Sequence, residues 1–347
     1  MTMKYSLYLP TGFGQDLAHI LDPVEAFEAL VAMAKTVDWD GFESIWLPDH
    51  MITAPPSNEK IFEAWTMVTA LARETRRVRV GQMVTGNNYR HPALQAKMAS
   101  SVDVISDGRF TLGIGAGWYE ADHAAFGYEF RSPGERLRQL EEAVQIILSM
   151  WTQDQTTFEG KYYQVRGAVN QPQGVQRPHI PLLIAGAGEK VTLRLVAKYA
   201  DACNVIDAPE GLARKYSILK QHCDALGREY DSIHRTATSV CVLADTDERA
   251  RAMLPPGPSP VYPGDYASYC LIGTPETIRH RLAGYEEAGV LELAISFIGA
   301  TGPTDVDILR QFAAECVPGQ LNGSFGMRRF GSSAWGNGRI RPQLTGG

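Results

Sequence analysis

Asp49 and His50 are the two neighbours in this chain best suited to chemistry. A carboxylate accepts a hydrogen bond from a ligand N–H or O–H, and an imidazole gives or takes a proton near neutral pH. The same pair also fits a loop aspartate that caps a turn beside a surface histidine. Two glycine runs stand out next. Gly113-Ile114-Gly115-Ala116-Gly117-Trp118 departs from the dinucleotide spacing G-x-G-x-x-G, because Trp118 stands where the third glycine belongs, and no helix is expected directly after it. It reads as a wall of bare backbone against which a planar ligand lies, or as a tight turn. Gly186-Ala187-Gly188 runs directly into a helical stretch, and free N–H groups at a helix start suit a phosphate. His123 lies in a long loop and is either a substrate contact or a solvated side chain, whereas His91, just before Pro92, reads as a helix start. The chain has no H-E-x-x-H or G-x-S-x-G motif, and Leu7-Tyr8-Leu9 offers no H-x-H pair. The expectation is no metal and an organic cofactor.

These residues fall at the ends of alternating elements. Strand-like runs are Lys4–Leu9, Ser44–Leu47, Arg77–Val84, Arg109–Ile114, Pro181–Ile184, Ala202–Ile206, Arg235–Leu243 and Leu291–Phe297. Helical stretches separate them, at Pro23–Val37, Ala64–Arg73, Pro92–Ile105, Glu135–Trp151, Lys190–Tyr199, 209–226, 246–254 and Pro275–Ala288, with a last one at Asp305–Glu315. Eight strand–helix repeats predict a (β/α)8 TIM barrel rather than a doubly wound sheet. In a barrel, ligands bind at the C-terminal strand ends, which is where the polar and glycine-rich junctions lie. The predicted organisation is one barrel domain over residues 1–317, with insertions near 119–180 and 244–274. A Gly/Arg-rich tail, 318–347, lacks a hydrophobic period and is expected to be flexible.

Composition excludes several classes. The 347 residues are 44% hydrophobic and 21% charged, enough apolar material for a large core and too much for a disordered chain. A net charge of −6 argues against a nucleic-acid partner. No apolar run reaches the ~18 residues of a membrane span, and the N-terminus lacks a signal-peptide pattern. The five cysteines are scattered without a C-x-x-C, as expected of reduced thiols in a cytoplasmic protein.

Taken together, FESIWLPDH (Phe42–His50), WTMVTALARETRRVRVG (Trp65–Gly81), YRHPALQAKMASSVDV (Tyr89–Val104), GRFTLGIGAGW (Gly108–Trp118), FEGKYY (Phe158–Tyr163), PHIPLLIAGAG (Pro178–Gly188) and AKYADACN (Ala197–Asn204) resemble the bacterial luciferase-like superfamily, in its own motif order and from about residue 3 to 315. The Asp-His pair after strand two resembles the branch that uses the deazaflavin coenzyme F420, where many flavin monooxygenases carry Glu-His-His. The resemblance implies that Asp49 contacts the deazaflavin ring and His50 faces the reacting centre as acid/base. It implies a non-proline cis bond at Met83-Val84, in a bulge bearing on one ring face, with Thr85 and Gly86 beside it. It further implies that Gly115, Ala116 and Gly117 line the cofactor and that Gly186, Ala187 and Gly188 hold its phosphate. Trp118 stands where some deazaflavin dehydrogenases place a catalytic glutamate, which argues against a sugar-phosphate substrate. Trp118, Tyr119 and His123 are the expected substrate contacts, with Trp46, Trp65 and Phe126 also near the expected mouth, and an apolar or aromatic small molecule is the expected substrate. Two other assignments fit: an FMN-dependent monooxygenase using reduced flavin and oxygen, and a barrel that binds flavin without turnover. Partners implied are a second copy, as a homodimer, and a reductase that supplies reduced cofactor.

Overall fold

A computed structural model describes residues 2–257, 259, 261–299, 302–317 and 319; the tail expected over 318–347 lies outside them except for Gly319. The strands are β1 (Lys4–Tyr8), β2 (Ser44–Leu47), β3 (Arg79–Gln82), β4 (Thr85–Gly86), β5 (Phe110–Gly115), β6 (Thr156–Glu159), β7 (Gln164–Ala168), β8 (Leu182–Ala185), β9 (Ala202–Val205), β10 (His234–Leu243), β11 (Leu271–Gly273) and β12 (Glu292–Phe297). Eight of them pair in parallel in the order β1-β2-β3-β5-β8-β9-β10-β12, and β12 returns to β1, so the sheet closes. This is the (β/α)8 barrel, with β4 and β11 as short additions on β5 and β10 and an antiparallel β6–β7 hairpin outside.

The strands read as nearly continuous apolar runs because helices cover their outer face while side chains fill the interior. All four residues of β2 are buried. The helices are α1 (Pro23–Asp40), α2 (Ala64–Glu74), α3 (Pro92–Ile105), α4 (Glu120–Phe126), α5 (Pro133–Thr152), α6 (Thr192–Tyr199), α7 (Pro209–Leu226), α8 (Asp247–Ala252), α9 (Pro275–Glu287) and α10 (Asp307–Gln311). In α1, Asp22 accepts hydrogen bonds from the N–H groups of Val24 (2.7 Å) and Glu25 (3.0 Å), and Pro23 occupies the first turn. Gly41, at φ 88°, ends the helix in the left-handed conformation that a side chain disfavours. Leu30, Val31, Met33, Ala34 and Val37 turn inward, each large one worth roughly 1.5–3 kcal/mol of burial.

Three expectations are corrected. The segment before Glu135, read as loop, contains α4, so a helix does begin two residues after Trp118. Its acidic first turn and left-handed Gly127 cap define it, but seven residues are too few to display a period. The run Arg77–Val84 is not one strand: it breaks at Met83 and resumes as β4, paired to β5. The final helix starts at Asp307 and widens into a π turn over Phe312–Cys316. Among the described residues no helix is long and apolar enough to cross a membrane, and all five cysteines are buried free thiols.

Candidate active site

At the C-terminal end of β2 the chain passes Pro48 and presents Asp49 and His50, which point to different partners. His50 Nδ1 lies 2.7 Å from Oδ2 of Asp122 on α4. Phe13, from the loop after β1, stacks on the imidazole with ring centroids 3.8 Å apart and planes 15° from parallel. Trp118 and Tyr119 meet it edgewise at 5.6 and 5.5 Å. Tyr119 is fixed by a hydrogen bond from its hydroxyl to the Thr53 carbonyl (2.8 Å). The histidine side chain keeps 12% exposure, and among the described residues none bonds to Nε2.

Asp122 is fully buried and saturated with donors. Besides His50, it accepts from Tyr89 Oη (2.8 Å) and from the N–H groups of Met51 (3.0 Å) and Ile52 (2.9 Å). Burial alone would raise its pKa, but the hydrogen bonds from His50, Tyr89 and Met51 outweigh it and hold the carboxyl below the usual range.

Asp49 is also buried, yet it turns to Arg90, which grips both carboxylate oxygens (2.5 and 3.1 Å), while Thr85 Oγ1 donates to it as well. Arg90 continues to Glu63 (2.7 Å). Burial opposes the guanidinium charge, but Asp49 and Glu63 together hold the Arg90 pKa above its ordinary value. A two-toothed pair of this kind fixes the carboxylate's plane. The aspartate expected at the ring is therefore tied through Thr85 to strand three's continuation.

The Met83–Val84 peptide is cis. A Cβ on Gly113 would lie 1.9 Å from the Gln82 carbonyl oxygen and 3.0 Å from Val84 Cγ1, and one on Gly115 would lie 2.9 Å from Val84 Cγ2. The two glycines are thus explained by the bulge packing on them. Gly86 does the same for the Tyr89 ring, 2.7 Å from where its Cβ would stand. Val84, Met83 and Ala185 share one cluster inside the barrel with Tyr8 and Trp46, so the ends of β1, β3 and β8 converge. Ala116 is half-buried, and Gly117 (φ 77°) turns the chain while its carbonyl accepts from Arg136 Nε (3.2 Å).

Gly186 is half-buried, and Ala187 and Gly188 are exposed just ahead of α6. The N–H groups of Ala187, Gly188 and Glu189 find no acceptor among the described residues, and a Cβ at Gly188 would crowd Thr192 Oγ1 at 2.7 Å. Bare backbone donors in the turn just ahead of a helix fit an anionic phosphate.

Among the expected substrate contacts, Trp118 is 49% exposed at the mouth and Tyr119 stands beside it. His123 does not reach that surface. It is fully buried between Tyr89 and Phe130, with Nδ1 on the Tyr119 carbonyl. Trp46 belongs to the barrel floor, where it bonds Glu292 (2.8 Å), and Trp65 is core. His91 caps α3, as expected, accepting from the Ala93 N–H (3.2 Å). Sequence reasoning missed Phe13, Glu63, Tyr89, Arg90 and Asp122. For Arg90 the position before His91-Pro92 was the available signal, and for Asp122 an acid in the first turn of a short helix.

The profile of the luciferase-like monooxygenase family matches residues 3–262. The chain belongs to this family. Among relatives of the family, it is 32% identical over 174 residues to an F420-dependent glucose-6-phosphate dehydrogenase of Amycolatopsis mediterranei, covering 49% of this chain and 50% of that one. It is 25% identical over 223 residues to an FMNH2-dependent dimethylsulfone monooxygenase of Pseudomonas putida, covering 64% and 60%. The chain thus spans between half and three-fifths of the length of these curated relatives. In fold it is similar to an F420-dependent secondary alcohol dehydrogenase solved with an F420–acetone adduct (TM-score 0.75, 18% identity, 92% of this chain and 100% of that one). It is also similar to the oxygenating component of 3,6-diketocamphane monooxygenase of Pseudomonas putida, solved with FMN (TM-score 0.70, 18% identity, 94% and 100%).

Proposed function

We propose that this luciferase-like protein is a coenzyme F420-dependent oxidoreductase, exchanging a hydride with a small organic substrate of apolar or aromatic character. The observation that carries this reading is His50: a proton-exchanging group with an open Nε2, held in a wall of Phe13, Trp118 and Tyr119 at the barrel mouth. The residues present fit the coenzyme. The Val84 bulge, packed on Gly113 and Gly115, and the half-buried Ala116 and Gly117 would border the ring, and the N–H groups before α6 would seat its phosphate. The bound deazaflavin supplies two-electron hydride exchange. The chain's own residues orient the reactants, exclude water with aromatic surface, and move one proton at His50 Nε2.

Support for the deazaflavin over FMN comes from the Asp49-His50 order and from the 32% identity to an F420-dependent relative. That relative's sugar phosphate is not carried over, because Trp118 follows the strand-end glycines here. FMN with oxygen is the second reading, favoured by the similarity to the dimethylsulfone monooxygenase. A cytoplasmic setting rests on the five free thiols; the homodimer and a reductase supplying reduced cofactor are carried over from the family resemblance. Titrating the purified protein separately with F420 and FMN, followed by fluorescence, tests the reading. Saturable quenching of F420 is expected, and tight FMN binding without response to F420 overturns it in favour of the monooxygenase.

A further inference from the structure

We propose that Asp122 is a positioning residue for His50, fixing Nδ1–H toward itself so that Nε2 alone exchanges the proton, and that α4 is thereby a working part of the active site. The inference rests on the F420 reading for the reaction it serves, but its geometry stands independently. A carboxylate with no exposed surface accepts four hydrogen bonds: two from the backbone that follows His50, one from Tyr89 and one from the imidazole. Oδ1 is occupied by the Met51 and Ile52 N–H groups, so the carboxylate cannot rotate away without losing both. An ionised carboxylate accepts only, so the nitrogen 2.7 Å from it carries the proton and the other nitrogen is left basic.

The sequence neighbour cannot play this part. Both oxygens of Asp49 are held by Arg90 and Thr85. The titratable groups around the imidazole are then Asp122 and Tyr119, with Tyr89 behind Asp122. The proton balance is simple. When a hydride reaches the substrate, one proton passes from Nε2 to the substrate atom beside it, and the imidazolium becomes the neutral Nδ1–H form. In the reverse direction Nε2 takes that proton. Asp122 remains ionised throughout and stabilises the imidazolium when it forms.

Two measurements test the proposal. In full-length protein labelled with 15N-histidine, the His50 resonances, identified by their loss in His50→Gln, should show the Nδ1–H tautomer. A neutral Nε2–H tautomer overturns the proposal with no reference to turnover. In Asp122→Asn, kcat should fall about a hundredfold or more and the pH dependence of kcat should shift, while F420 quenching stays within about threefold of wild type. Unchanged tautomer and turnover in that variant overturn the proposal. So does a loss of cofactor affinity parallel to kcat with the tautomer unchanged, which is what a purely structural staple produces. If the variant does not fold, the wild-type tautomer still decides. If the wild type binds neither F420 nor FMN, the functional reading falls and the tautomer measurement continues to judge the pair.

Discussion

Two histidine–carboxylate pairs stand at opposite ends of the barrel. At the mouth, His50 meets Asp122 at 2.7 Å; at the floor, His234 Nε2 meets Glu292 Oε2 at 2.9 Å. Both carboxylates are buried, and the two imidazoles are almost equally shielded, at 12% and 13% exposure. Their surroundings differ. Glu292 also accepts from Ser6 Oγ (2.6 Å) and Trp46 Nε1 (2.8 Å), groups from the interiors of β1 and β2. The cavity beside it is only about 10 Å³, room for roughly one water molecule. Asp122 instead ties a short helix to the loop that carries His50, and the imidazole it holds faces an aromatic wall at the end of the barrel where strands deliver ligands. Pair geometry by itself therefore does not mark a catalytic site. The proposal for the mouth rests instead on which atom is left over and what it faces.

The comparison is broken most directly at the mouth. His50→Gln, which keeps an N–H donor for the buried Asp122, should cut turnover by about 10²–10⁴-fold while leaving the thermal midpoint near that of wild type. Steady-state kinetics beside thermal unfolding checks this, and a variant that melts early would assign the mouth pair to stability instead. At the floor the opposite split is expected. Glu292→Gln breaks a buried pair and should cost about 3 kcal/mol of stability, with kcat of the folded protein preserved at low temperature. Denaturant unfolding measures it.

The floor pair also has an acid signature. Burial would raise the Glu292 pKa, but the hydrogen bond and charge of His234, with Ser6 and Trp46, depress it to about 2. A carboxyl lowered on folding contributes stability above its unfolded pKa, and that contribution is lost as pH falls from about 4.5 towards 2. Acid titration of unfolding free energy should therefore decline through this window in wild type and be flatter in Glu292→Gln. Equal slopes would detach Glu292 from the acid limb.

Much of the barrel was legible because strand and helix periods recur eight times, and an error at one boundary leaves the count intact. At the mouth, what was legible is position: Asp49-His50 follow β2 and the glycine run precedes α6, as the strand ends required. It was not legible where a long-range partner decides. Asp49 and His50 are adjacent in sequence, yet one binds Arg90 and the other Asp122, 72 residues away. Nothing local in the sequence separates those fates. Gly113 and Gly115 suggested a ligand wall, and the structure gives them a second reason, the close approach of Val84. A missing side chain records that something is near without recording whether it is ligand or protein. His123 shows the converse, since a polar residue in a stretch read as loop became core once that stretch formed α4.

The smallest expected effect lies beside the mouth, at Asp16. Its Oδ1 accepts the Gly12 N–H (2.7 Å), closing the turn that carries Phe13 onto His50. Burial raises this carboxyl to about 6 against the lowering effect of the Gly12, Gly14 and Asp16 N–H groups. An acid raised on folding contributes stability at low pH that is lost as pH rises through the folded value, so ionised Asp16 is a mild burden above pH 6. Asparagine keeps an acceptor for Gly12 and carries no charge. Asp16→Asn should therefore raise the thermal midpoint by about 1–2 °C at pH 8 and by less at pH 5. A larger gain at pH 5 than at pH 8 would reverse the sign and show that the carboxylate is stabilised in its charged form, bringing it closer in kind to Asp122 than to a strained turn.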